Sequence, residues 1–265
     1  MDILFPVIVV GIIGLIVGIV LAVASTLFYV PVDKTAKDLE EALPGANCGS
    51  CGFSGCSGYA KALSKGEAKV GLCSPGGEAV AKELSRILGT EAEKVIQKKA
   101  VVACKGTADA TTKKAEYTGI NSCAAAMQIY SGNTACAYGC IGFGDCLRVC
   151  SNNAVSICNG VACIDTSLCM GCGECEKACP KGIIHIVPLK KQAFVKCSSR
   201  DKGADTRKAC TAGCIGCMRC AKVCESGAIT VKENHAMVNP ELCTGCGKCA
   251  EECKLNCIEM IFREA

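Results

Sequence analysis

Residues 3–30, ILFPVIVVGIIGLIVGIVLAVASTLFYV, carry no charged side chain. At about 1.5 Å of rise per residue, such a run spans a hydrocarbon core of about 30 Å with some tilt, so the pattern predicts a transmembrane helix. A cleaved signal peptide is the competing reading, because AVAS at 22–25 offers a cleavage site. The missing basic flank, Asp2 and the apolar residues beyond that site favour a retained anchor. Residues 31–45 are charged, end in Pro44–Gly45 and read as a linker. A helical stretch separates Cys56 from Cys73. Residues 78–89, EAVAKELSRILG, repeat apolar positions at helical spacing and end in glycine, which predicts a second helix. Residues 91–130 are lysine-rich and read as a partly irregular connector with a solvated basic face. Further on, short strands are expected around His185 and His235, where both imidazoles are read as packing residues.

Cysteine changes this picture. The chain has 27 cysteines among 265 residues, no Trp, and only 4% aromatic residues. An odd count cannot close into intramolecular disulfides alone. So many thiols with so few bulky rings indicate a fold organised around inorganic centres rather than one large apolar core. The formal charge of +4 treats every thiol as neutral. Five clusters of charge about −2 would bring it to about −6, so the basic sum is no argument for nucleic-acid binding. Lys34 and Lys37 follow the apolar run and nothing basic precedes it. The positive-inside rule then predicts a single-pass protein of the cell membrane with its bulk in the cytoplasm, a compartment that suits free thiols. Gly14, Gly18 and Ala22 form a small-residue stripe that suits packing against another helix.

The thiols fall into motifs. Cys48, Cys51, Cys56 and Cys73 make a glycine-rich C-x2-C-x4-C-x16-C set. Beyond residue 130 the chain repeats at a constant offset of 74 residues. Cys169, Cys172, Cys175 and Cys179 map onto Cys243, Cys246, Cys249 and Cys253, each set being C-x2-C-x2-C-x3-C. Cys214, Cys217, Cys220 and Cys224 have the same spacing. That run is the bacterial iron–sulfur ligand pattern, whereas structural zinc sites use two separated pairs.

In this pattern the fourth cysteine serves the other cluster of a two-cluster fold. The spacing therefore predicts three complete centres in the repeats: Cys214, Cys217, Cys220 and Cys253; Cys243, Cys246, Cys249 and Cys224; Cys169, Cys172, Cys175 and Cys150. A fourth centre has Cys140, Cys146 and Cys179 but lacks a thiol, because Phe143 stands where the second copy has Cys217. Cys136, four residues before Cys140, is the preferred replacement, which would leave its counterpart Cys210 spare. Cys123 is the alternative, and a three-iron centre is a further one. Cys123 and Cys197 share the offset of 74 and read as structural thiols. Cys163 and Cys257 map onto apolar positions and read as small hydrophobes, while Cys158 looks incidental.

The predicted architecture is α+β: an anchor at 1–30, the linker at 31–45, a four-cysteine domain at 46–90, the connector at 91–130, a first ferredoxin-like two-cluster module at 131–188, a basic linker at 189–208 and a second module at 209–265. Five [4Fe-4S] clusters on 20 cysteines are expected.

An apolar N-terminal helix, the CGSCGFSGC domain and tandem ferredoxin modules, in this order, resemble the B subunit of Rnf-type complexes. The resemblance covers nearly the whole chain. It implies a membrane complex that oxidises reduced ferredoxin, reduces NAD and moves Na+ or H+. In it this chain carries electrons from soluble ferredoxin to the other membrane subunits. One departure is that proline follows only Cys179, as Pro180; Ser151, Glu225 and Lys254 take that place after the other three. No dinucleotide fingerprint or P-loop is present in the sequence, so NAD chemistry is not expected of this chain. Competing readings are a membrane-anchored polyferredoxin serving another reductase or a reductive activator, and a non-redox metal module. A basic run of Lys190, Lys191, Lys196, Arg200, Lys202, Arg207 and Lys208 is a candidate docking face for an acidic donor.

Overall fold

A computed structural model describes residues 4–27, 33–91, 95 and 97–262. The first helix, α1 (Leu4–Leu27), follows the uncharged run. Its segment Val7–Ser25 is long and apolar enough to cross a membrane. Its large side chains from Val7 to Val23 are exposed, as a lipid-facing helix requires.

The stretch read as a linker instead contains α2 (Lys34–Ala42), capped by Asp33, whose side chain accepts a hydrogen bond from the Thr35 N–H. Charge dominates its composition, but Ala36, Leu39 and Leu43 share one face and are buried. Leu39 packs with Tyr59 and Leu84, from α3 (Cys56–Ser64) and α4 (Gly77–Leu88), to form the core of the four-cysteine domain. The helix predicted at 78–89 is α4, and it ends at Gly89 in the left-handed conformation that glycine adopts without strain.

The supposed connector also has a structural role. Its β1 (Lys98–Val102) is the edge on which the first module is built. After it come α5 (Cys123–Met127), α6 (Asp145–Arg148), β2 (Val155–Cys158), β3 (Val161–Ile164), α7 (Glu174–Ala178) and β4 (Ile184–Pro188). β1 pairs antiparallel with β4, and β2 with β3. The turn between β2 and β3 is Asn159–Gly160, both at positive φ, the geometry a two-residue hairpin favours.

The second module repeats this plan with β5 (Gln192–Val195), α8 (Gly203–Ala209), α9 (Arg219–Lys222), β6 (Ile229–Lys232), β7 (His235–Val238), α10 (Lys248–Glu251) and β8 (Ile258–Ile261). β5 pairs with β8, and β6 with β7. The basic stretch at 189–208 holds β5 and all but the last residue of α8, so it is no linker. The strand register aligns the two modules. Val102 faces Ile184, and Val195 faces Ile258, so Val102 corresponds to Val195 and Cys104 to Cys197. The pairing of Cys123 with Cys197 at an offset of 74 is thus overturned. Cys104 and Cys136 are 32 positions apart while Cys197 and Cys210 are 13 apart, so the first module carries an insertion that holds α5 and Cys123.

Each module has its own core, and cysteines form much of it. The first groups Val102, Val155, Ile183 and Ile184 with Cys146, Cys169 and Cys175. The second groups Val195, Ile229 and Ile258 with Cys214, Cys220 and Cys249. His235 places Nε2 2.6 Å from the Cys197 carbonyl oxygen, and the His185 ring lies near that of Phe194.

Candidate iron–sulfur centres

The short helices α6, α7, α9 and α10 each begin just after a tight turn in a ligand motif. Gly144, Gly173 and Gly247 occupy left-handed conformations at three of these turns, and Met218 does so at the fourth. The turns wrap the motif so that thiols three residues apart face the same space. A second glycine in each loop lets it press against a neighbouring backbone. A Cβ on Gly171 would sit 2.2 Å from the Lys98 carbonyl oxygen.

In the first module, Cys150, Cys169, Cys172 and Cys175 line one void, the set expected from spacing. The N–H groups of Ala100 and Gly171 both donate to Cys169 Sγ at 3.4 Å, and Ala154 N–H donates to Cys150 Sγ at 3.3 Å. Such amides stabilise thiolate and tune a cluster's potential. In the second module, Cys214, Cys217, Cys220 and Cys253 share a void with Cys257. Cys257 is 3.5 Å from Cys253, so it touches ligand sulfur rather than serving only as apolar filler. Cys249 is buried in the core of this module with Cys224 and Cys243 packed against it, and burial and then the nearby Cys243, Cys224 and Cys246 raise its thiol. In the N-terminal domain the Cys73 thiol is raised by burial and by Cys56, Cys48 and Cys51 in the same way.

At the incomplete centre it is the alternative thiol, Cys123, and not the preferred Cys136 that lies with the other three. Cys123, Cys140, Cys146 and Cys179 line one void. Cys136 does not line it; its place is in a separate void. The cause is the insertion, which folds back over the module. Asp145, next to Cys146, accepts hydrogen bonds from the N–H groups of Cys123 and Ala124, both at 2.9 Å, and from the Ser122 hydroxyl at 3.0 Å. The start of α5 is thereby tied to the ligand loop and its buried thiol stands over the void. Phe143, in place of the lost cysteine, packs its ring 5.4 Å from that of Tyr117 and joins Cys123, Ala126 and Ile141 in a small cluster. The insertion thus brings a fourth thiol to the void, and the ring at the position equivalent to Cys217 packs against the insertion.

Despite the burial of its carboxyl, Asp145 is held below the ordinary carboxylate range by those amides, by Ser122 and by Arg148. Burial pushes the thiols of Cys140 and Cys175 up to about 12. Without metal these two groups are neutral thiols, so binding metal through them releases protons.

Cys136 lies between the modules. Cys104, Cys136, Cys197 and Cys210 line a void there, with Gly106 and Gly139 giving close backbone approach. Motif spacing alone leaves Cys104, Cys197 and Cys210 without a role. A gapped alignment of AVVACKG at 100–106 with AFVKCSS at 193–199 carries the signal for the first two.

Among the described residues, no three His, Cys, Asp or Glu side chains converge closely enough for a single metal ion. The thiols of the first module instead surround voids of about 20 Å³, and Cys150 and Cys169 accept backbone amide hydrogen bonds. This donor set fits an iron–sulfur cluster better than one zinc ion.

Comparison with known proteins agrees. A family model described as a putative Fe-S cluster matches residues 43–75. One described as a 4Fe-4S binding domain matches residues 162–185, and one described as a 4Fe-4S dicluster domain matches residues 213–257. The chain is 41% identical over 257 residues to the B subunit of the Na(+)-translocating ferredoxin:NAD(+) oxidoreductase complex of Acetobacterium woodii, an alignment covering 97% of this chain and 77% of that protein. It is 40% identical over 238 residues to the B subunit of the proton-translocating ferredoxin:NAD(+) oxidoreductase complex of Clostridium ljungdahlii, covering 89% and 84% of the two chains. To the B subunit of the ion-translocating oxidoreductase complex of Methanosarcina acetivorans it is 36% identical over 231 residues, covering 87% and 88%. Successive four-thiol sites on a chain that aligns with these proteins over nearly its full length place it in the B-subunit family of Rnf-type ferredoxin:NAD oxidoreductase complexes, as an electron-carrier subunit of a redox enzyme.

Proposed function

We propose that this subunit takes single electrons from reduced ferredoxin in the cytoplasm and passes them to membrane subunits of its complex, whose overall reaction reduces NAD and moves Na+ or H+. The observation that carries this reading is the serial order of thiol-lined sites along the fold, from the membrane-length helix α1 to the far module. The four-cysteine domain adjoins the first module, where Lys98 N–H donates to Ser74 Oγ at 3.1 Å. The first module adjoins the second, where Thr211 N–H donates to the Ala110 carbonyl and Ser198 Oγ to the Ala103 carbonyl, each at 2.8 Å.

A bound [4Fe-4S] cluster supplies reversible one-electron storage at low potential. The five sets that hold clusters in this reading are Cys48, Cys51, Cys56 and Cys73; Cys123, Cys140, Cys146 and Cys179; Cys150, Cys169, Cys172 and Cys175; Cys214, Cys217, Cys220 and Cys253; and Cys224, Cys243, Cys246 and Cys249. The protein orients thiolates, excludes water and aims amides at sulfur. Cys217 and Cys246 are exposed, whereas Cys172, the counterpart of Cys246, is half-buried and Phe143 stands at the position of Cys217, which supports the second module as the entry point for electrons. Exposed Lys202, Arg207 and Lys208 lie on this module, and Arg207 lines the void of Cys217. The direction of transfer is then from the second module to the first, to the N-terminal domain and to the membrane.

The test is anaerobic purification of the full chain with its membrane partners, followed by rapid mixing with reduced ferredoxin. Bleaching of the iron–sulfur absorbance, and loss of ferredoxin-dependent NAD reduction in a complex lacking this subunit, are the expected results. A chain that purifies without membrane partners, or that ferredoxin does not reduce, would overturn the proposal.

A further inference from the structure

We propose that Cys104, Cys136, Cys197 and Cys210 bind a sixth cluster of the [4Fe-4S] type, held jointly by the two modules where they meet. The inference rests on the iron–sulfur reading of the other sets and adds a site that neither the ligand motifs nor the matched family regions contain.

Four observations support it. The first is convergence across long sequence separation. The four cysteines line one void, and Cys104, Cys197 and Cys210 are buried there. A Cβ on Gly106 would lie 3.5 Å from both Cys104 Sγ and Cys210 Sγ, so these two sulfurs flank one point although they come from different modules. The void measures about 20 Å³, as do the voids lined by the ligand motifs of the first module.

The second is hydrogen bonding to sulfur. Cys104 Sγ accepts from the N–H groups of Gly106 and Cys140, both at 3.4 Å. Cys197 Sγ accepts from Ser199 at 3.4 Å and from Cys214 at 3.2 Å. Each sulfur therefore receives one amide from two residues further on and one from a more distant segment. Cys169, inside a ligand motif, receives the same pair from Gly171 and Ala100. Two aimed amides are the environment of a thiolate ligand, and a buried neutral thiol has no need of them.

The third is symmetry. The strand register makes Cys104 the counterpart of Cys197, and the motif alignment makes Cys136 the counterpart of Cys210. Each module contributes the same two positions, so the site exists only where the modules meet. Thr111 pairs with Cys210 as an isolated β-bridge, and Thr111 Oγ1 donates to the Ala209 carbonyl at 2.8 Å; these bonds fix one module against the other beside the void.

The fourth is position in the chain of sites. Cys140 and Cys214, whose amides touch the interface sulfurs, themselves line the adjacent voids of the first and second modules. One residue on each side thus connects the interface site to a neighbouring centre. Its place makes it a relay: one electron arrives from the second module and one leaves to the first, with no bond made or broken and no proton moved. With this set assigned, only Cys158, Cys163 and Cys257 of the 27 cysteines remain without a ligand role.

The test uses full-length protein, anaerobically purified and fully loaded. Native mass spectrometry of the wild type should count six clusters, with about 24 iron and 24 acid-labile sulfide per chain. The Cys197→Ala/Cys210→Ala double variant should lose about four of each, together with one component of the dithionite-reduced EPR spectrum, and should keep the others. Cys158→Ala/Cys163→Ala is the control and should keep all six. Five clusters in the wild type, or equal iron in the wild type and the interface double variant, overturns this inference while leaving the other sites intact. A wild-type chain that takes up no iron instead overturns the iron–sulfur reading as a whole. Because the wild-type count stands alone, a variant that fails to fold does not blunt the test.

Discussion

The Cys123 backbone N–H donates to Asp145 Oδ1 at 2.9 Å, joining residues 22 positions apart and setting a thiol from an insertion beside a ferredoxin ligand loop. Asp145 also accepts from Ala124 and Ser122, and it pairs with Arg148. The Asp145→Ala variant removes all of these at once. It should cost on the order of 2 kcal/mol and make one cluster labile. Iron analysis after brief exposure to air checks this, with early loss of about four iron per chain from the variant only.

The exchange between Phe143 and Cys123 can be run backwards. Cys123→Ser should open one iron coordination site, giving a three-iron signal in the oxidised EPR spectrum or loss of that cluster. Adding Phe143→Cys restores a thiol at the position equivalent to Cys217, so the double variant should recover the four-iron form. Cys123→Ser with an unchanged spectrum would mean that the thiol of the insertion is not a ligand.

Gly171 and Gly182 both have positive φ, yet only Gly171 is crowded. A Cβ there would meet Lys98 backbone atoms at 2.2 and 2.8 Å, whereas a Cβ on Gly182 meets nothing within 4 Å. Gly171→Ala should push the loop off β1 and lose the cluster of Cys169, Cys172 and Cys175. Gly182→Ala should keep full iron content and show only the mild strain of a left-handed alanine, about 1 kcal/mol. Parallel iron counts and thermal unfolding of the two variants separate steric crowding from backbone strain.

Met218 holds φ at +62° where the other three ligand loops have glycine, and its side chain is about half exposed. Replacing it with glycine removes the left-handed penalty and sacrifices little burial. Met218→Gly should stabilise the holoprotein by about 1 kcal/mol, against which the extra entropy of an unfolded glycine offsets part. A rise of a few degrees in the midpoint, at most about 4 °C, is the expected reading for a chain of this size.

Lys202, Arg207 and Lys208 are exposed on the proposed entry module. Changing all three to Gln should lower the ferredoxin association rate several-fold at low ionic strength, with the difference vanishing as salt screens the field. Cluster content should not change. Equal rates for the wild type and the variant at low salt would place the docking face elsewhere.

The sequence by itself determined the ligand motifs and the helical anchor because both are short-range patterns. Thiols three residues apart, with glycines between them, meet through local turns, so the Cys169 and Cys214 runs are legible without any tertiary knowledge. The 28 uncharged residues at 3–30 are equally direct, because their length can be compared with the thickness of a bilayer. Segment boundaries read from composition failed where burial is one-sided: α2 looks charged but turns Leu39 into a core, and β1 sits in a lysine-rich stretch yet pairs with β4. The placement of Cys123 and of Cys136 depended wholly on tertiary structure. Cys136 is near Cys140 in sequence, but the backbone directs it to the interface, while Cys123 reaches the void because Asp145 anchors the insertion there. Proximity along a chain constrains thiols only within a turn or two; beyond that, the packing of one segment on another decides which sulfurs share a space.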